Sequence, residues 1–174
     1  GIIVGSRLLR QQSVPPPFGL AGNGLLASSI NGEIVLMELD GSNVRRLELP
    51  FEGVTGTSFS RDGTRIAGWA TPDDGLGSQK SLIIANSDGS GAFEVDGTKL
   101  IGDPGFRIAW SPDDRRLAFS GSGDRLFVAD IEARIVRELG GDASITFRKD
   151  PAWAPDGRLA YRCTTTEGVL HRSA

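Results

Sequence analysis

The chain carries one histidine, His171, and one cysteine, Cys163, and nucleophilic chemistry would have to begin there. A nucleophilic site needs a Ser or Cys with a base, usually His, held beside it. His171 stands fourth from the end of the sequence, and no Gly-x-Ser-x-Gly elbow is present. Cys163 fits a buried strand thiol and His171 an exposed terminal side chain. No catalytic residue is therefore expected, and the chain is expected not to be an enzyme. Four Gly-x-Gly pairs occur, at Gly22 and Gly24, Gly75 and Gly77, Gly89 and Gly91, and Gly121 and Gly123. None has a third glycine three residues on, and none opens a helix that would offer its N-terminus to a phosphate. They read as turns, and no cofactor is expected.

Acidic turns are the next candidates. Asp73-Asp74, Asp113-Asp114 and Asp88-Gly89-Ser90-Gly91 place carboxylates beside glycine or one another. Calcium takes six to eight oxygens, and none of these segments has the alternating Asp/Asn spacing of a calcium loop. An aspartate in a turn commonly caps its own backbone, so no metal is expected. Aromatics are the last. Trp110, Trp153 and Phe59 share one position of a repeat, which points to a common structural task. Trp69 has no such counterpart and lies beside a polar insertion, Thr71 to Ser78. Binding surfaces are often built on such loops, so Trp69, Asp73 and Asp74 form the expected binding loop.

These residues are positioned by internal repetition. Phe59-Ser60-Arg61-Asp62-Gly63-Thr64-Arg65-Ile66-Ala67 aligns with Trp110-Ser111-Pro112-Asp113-Asp114-Arg115-Arg116-Leu117-Ala118. A third copy, Trp153-Ala154-Pro155-Asp156-Gly157-Arg158-Leu159-Ala160-Tyr161, is one residue shorter between turn and strand. The aromatics are 51 and then 43 residues apart, and the insertion accounts for the longer interval. Both spacings then approach the ~40 to 45 residues of a four-stranded propeller blade. A second motif recurs out of phase: Ile34 to Gly41, Leu82 to Gly89 and Leu126 to Ala133, each an apolar strand ending in a turn. After the first and last of these come further strands ending Val44-Arg45-Arg46-Leu47 and Ile135-Val136-Arg137-Glu138-Leu139. Ser-Pro-Asp-Gly supplies type I turn preferences, and short apolar runs without strict alternation suit a sheet covered on both faces.

The expected fold is therefore all-β: a β-propeller of four-stranded antiparallel blades. Blades are expected at 18–48, 54–96 and 105–139, with a partial one at 147–174, about three and a half in all and an incomplete ring. Residues 1–17 read as a tether: an apolar Gly1 to Gly5 that suits the end of a membrane or signal segment, then a stiff Gln11 to Pro17. Composition agrees. The 24 glycines suit many tight turns, and the net charge of -3 with no long run of one sign argues against a nucleic-acid partner. A lone cysteine excludes an internal disulfide. No 18-residue apolar stretch occurs, so membrane attachment would come only through the tether.

The aromatic-Ser-Pro-Asp-Gly turn followed by a basic residue and an apolar strand resembles the WD-repeat-like propeller repeat of the TolB family. Trp110 to Phe119 and Trp153 to Tyr161 carry the resemblance, and Phe59 to Trp69 is a weaker copy. Arg61 stands where the pattern has Pro, Asp114 where it has Gly, and blade one has only Phe18 to Gly24 in place of the signature. The resemblance implies a bacterial, extracytoplasmic binding scaffold, periplasmic or membrane-anchored, whose partner is a protein or cell-envelope component. Self-association or further blades would complete the ring. Similar repeats also form the gating propeller of prolyl-oligopeptidase-like serine peptidases, which is the alternative reading.

Overall fold

The computed structural model describes residues 24–71, 80–98, 107–121, 123, 125–140, 145–165 and 168–173. Within them every regular element of two residues or more is a strand. The first sheet holds β1 (Leu25–Ile30), β2 (Glu33–Glu38) and β3 (Arg45–Leu47). The second holds β4 (Thr55–Phe59), β5 (Arg65–Ala70), β6 (Ser81–Asn86) and β7 (Phe93–Glu94). The third holds β8 (Ile108–Trp110), β9 (Arg116–Ser120), β10 (Leu126–Asp130) and β11 (Ile135–Glu138). The fourth holds β12 (Ile145–Trp153), β13 (Leu159–Thr165) and β14 (Gly168–Ser173). Every sheet is a meander whose strands pair antiparallel in chain order. The expected all-β architecture of four-stranded antiparallel sheets is thus present, in two full sheets and two three-stranded ones.

The repeats show which strands correspond. Signature turns join β4 to β5, β8 to β9 and β12 to β13, so these are first and second strands of their sheets. The Ile34 to Gly41 motif matches Leu82 to Gly89, which makes β2 the counterpart of β6. Sheet one therefore contains the counterparts of second, third and fourth strands, and sheet four those of first, second and third. The signature turns and the Asp40, Asp88 and Asp130 turns all fall at one end of the sheets, the signature end. The Asn31-Gly32 hairpin, residues 48–54 and Thr71 fall at the other.

The sheets pack face to face in chain order, because alternate residues of each central strand face opposite neighbours. Ile66 and Ala70 of β5, with Ile83 and Ala85 of β6, join Ile34, Leu36 and Leu47 of sheet one. Ala67, Trp69, Leu82 and Ile84 turn the other way and join Leu117, Phe119, Phe127 and Ala129 of sheet three. Ala118 and Leu126 of sheet three pack with Trp153 and Leu159 of sheet four. Both faces of sheets two and three are thereby covered, which is why their strands are apolar at consecutive positions. First strands lie beside one another, β4 against β8 and β8 against β12.

Candidate functional site

The signature turns were candidates for chemistry, and their groups are spent on structure. In each, the fourth residue donates its N–H to the carbonyl of the first: Gly63 to Ser60, Asp114 to Ser111 and Gly157 to Ala154, all at 3.0 Å. The Ser60 hydroxyl donates to Asp62 and accepts from the Arg65 N–H, and Ser111 repeats this with Asp113 and Arg116. The Ser111 hydroxyl is the main cause that holds the Asp113 carboxyl below its usual range. At Asp156 the main cause is the Arg158 N–H. Asp88 accepts from the Ser90 hydroxyl and N–H, which lowers it likewise. These carboxylates cap their own turns, the role expected of an aspartate there.

The shared aromatics form a repeated joint between sheets. The Trp110 indole N–H donates to the Ser58 carbonyl of the preceding sheet, and that of Trp153 to the Ala109 carbonyl, both at 3.1 Å. Arg65 and Arg116 of those preceding sheets lie over the two rings, 5.4 and 4.7 Å from the centroids. Phe59, with no N–H to give, packs against the cluster between sheets one and two.

The expected binding loop does not survive intact. Trp69 has no exposed surface: it is wholly buried between sheets two and three, edge-on to Phe119 with centroids 5.2 Å apart. Its place in the register, opposite Thr55 and Leu82, turns the ring inward. Trp69 therefore cannot present an aromatic face to a ligand. Asp73 and Asp74 lie outside the described residues. Cys163 is buried, and the register pairs it with Leu170 while His171 pairs with Arg162, so the two share no cross-strand position.

The described surface offers a different site. A groove of about 600 Å³ opens on sheet one, away from the signature turns. One wall is the β1–β2 hairpin, where Asn31 and Gly32 have φ of 53° and 81°, the left-handed pair of a type I′ turn. The other is the crossing from β3 to β4, residues 48–54. This crossing is pinned at both edges. The Val54 N–H donates to the Gly32 carbonyl at 2.7 Å, and the Ser29 hydroxyl donates to the Val54 carbonyl. On the far side the Thr71 N–H donates to the Glu52 carbonyl at 3.1 Å. Leu49 and Phe51, half-buried, form an apolar floor on the cluster between sheets one and two.

The rim is acidic. Glu33 pairs with Arg46 at 2.9 Å, both side chains half exposed or more. Glu48 and Glu52 are exposed and have no ion-pair partner among the described residues. The site was missed in the sequence because its walls come from a hairpin and a crossing about twenty residues apart. The available signal was Glu48-Leu49-Pro50-Phe51-Glu52, an aromatic between two acids in a connection that belongs to neither repeat. Thr71, the first residue of the polar insertion, stands at its edge.

No family model matches the chain, and no curated protein does. Solved structures do. TolB from Acinetobacter baumannii is 14% identical, with a TM-score of 0.63 over 88% of this chain and 41% of that one. The β-propeller domain of the Trilobed protease from Pyrococcus furiosus is 18% identical, with a TM-score of 0.53 over 79% of this chain and 43% of that one. The fold is a β-propeller. A chain of the nidogen/laminin complex is 14% identical, with a TM-score of 0.60 over 84% of this chain and 53% of that one. At such identities the likeness carries the fold alone, and the chain spans about half the length of these neighbours or less. Each sheet is a blade, whole or in part.

Proposed function

We propose that this chain is a non-enzymatic binding scaffold whose partner is a protein or cell-envelope component, working outside the cytoplasm. The observation that carries the reading is the groove on blade one: an apolar floor, walls held by backbone hydrogen bonds, and a rim where Glu48 and Glu52 have no ion-pair partner among the described residues. A groove of this volume lies within the range of ligand sites. Protein partnership draws support from the nidogen/laminin neighbour, solved as a complex. The extracytoplasmic location rests on the TolB-like repeat and the tether-like residues 1–17. A photo-reactive amino acid at position 51, cross-linked in the native cell, is expected to capture one identified exported or envelope protein. Peptide hydrolysis by the purified protein would overturn the non-enzymatic reading.

A second reading is favoured by the Trilobed protease neighbour, a propeller domain of a peptidase. In it these blades gate a serine peptidase, and a Gly-x-Ser-x-Gly segment in the same open reading frame would decide for it.

A further inference from the structure

We infer that the blade-one groove takes an extended peptide segment in which a Lys or Arg side chain is flanked by an apolar one. This rests on the scaffold reading and names the class of ligand. Charge complementarity comes first. Three carboxylates, those of Glu33, Glu48 and Glu52, border the groove against one cation, Arg46, which Glu33 already neutralises. That leaves the Glu48 and Glu52 carboxylates with no ion-pair partner among the described residues. A cationic group complements these carboxylates; an anionic ligand, nucleic acid included, is repelled by them.

No three acidic, His or Cys side chains among the described residues stand close enough to hold a metal ion. The complementary charge is therefore spread along a larger ligand. The floor gives the second half of the specificity. Leu49 and Phe51 leave apolar surface open in a groove of about 600 Å³, far more than one ammonium group fills. A Lys or Arg lays its methylene stem on such a surface while its head reaches the rim. The pinned walls mean that little ordering of the groove itself is needed on binding.

The test is fluorescence anisotropy of the whole chain with three labelled hexapeptides: alternating Lys and Val, alternating Glu and Val, and alternating Lys and Ser. The Lys–Val peptide is expected to bind tightest and to weaken as salt rises. The double variant Glu48→Gln, Glu52→Gln is exposed at both positions and should keep the fold, checked by circular dichroism. It is expected to weaken Lys–Val binding on the order of fivefold, the size set by two exposed ion pairs. Equal binding of the Glu–Val peptide, equal binding of the Lys–Ser peptide, no binding by any peptide, or no effect of the double variant would each overturn the inference. If one of these occurs while cross-linking from position 51 still finds its partner, the ligand class is wrong and the scaffold reading stands.

Discussion

Arg61 stands where the repeat pattern has proline and Asp114 where it has glycine, and the structure couples the two departures. Asp114 holds a φ of 54°, in the left-handed region that Gly63 and Gly157 occupy at the same turn position. That conformation costs a residue with a side chain about a kilocalorie or more. Its carboxylate gives something back: it accepts the backbone N–H of Arg61 at 2.7 Å and of Asp62 at 3.0 Å, tying blade three to the turn of blade two. Proline at 61 has no N–H to donate. Hence R61P in the native chain leaves one oxygen of a nearly buried carboxylate unpaired, and the expected loss is about 1–3 kcal/mol. In a D114G background the carboxylate is gone, and R61P should cost little, since Pro112 and Pro155 already occupy the equivalent position. Urea denaturation of the four proteins measures the coupling. Additive effects, within about 0.5 kcal/mol, would show that the two positions are independent.

At the scale of the element, the strand that ends in tryptophan is what joins one blade to the last. In β12, Trp153 supplies a ring buried between blades three and four and an indole N–H to Ala109, while Arg116 covers its face. The ring's area should outweigh the hydrogen bond. W153F is expected to cost about 1 kcal/mol and W153A about 3–5 kcal/mol in the same urea measurement. Losses of equal size would mean that the N–H, and not the ring, holds the joint. Such joints were legible in the sequence because Trp110 and Trp153 recur with their turns. The strands β2, β6 and β10 were legible for a like reason, as apolar runs that end in matching turns. Trp69 was not. In Ile66-Ala67-Gly68-Trp69-Ala70 every side of the strand is covered, so no alternation tells a buried ring from an exposed one, and the nearby polar insertion misled. The groove was illegible because no single stretch contains it: the Asn31-Gly32 hairpin and the Glu48–Val54 crossing meet only when β1 to β4 are folded together.

Among the described residues the blades stack in chain order, each packed on its neighbours in sequence, and stability in such arrays is close to a sum of blades and joints. The joints are not equal. Blades two and three are buried on both faces, with Trp69, Leu82, Leu117 and Phe119 wholly inaccessible. Blade one packs its Ile34, Leu36 and Leu47 face on blade two. On its other face Val35 is buried, but Leu26 and Ile30 of β1 remain 39% and 48% exposed. Among the described residues, opening blade one breaks the one joint with blade two, and opening blade two breaks two. Amide hydrogen exchange read by mass spectrometry should show this as a gradient. Peptides covering β5, β6, β9 and β10 should exchange slowest, and those covering β1 and β2 should exchange sooner, by local opening in place of global unfolding. The Arg61–Asp114 tie lies inside the slow pair, so D114G should speed exchange in β4–β5 and β8–β9 while leaving β1–β2 unchanged. Uniform protection across all four blades would mean that they open as one cooperative unit, and a shared response to D114G would mean the same.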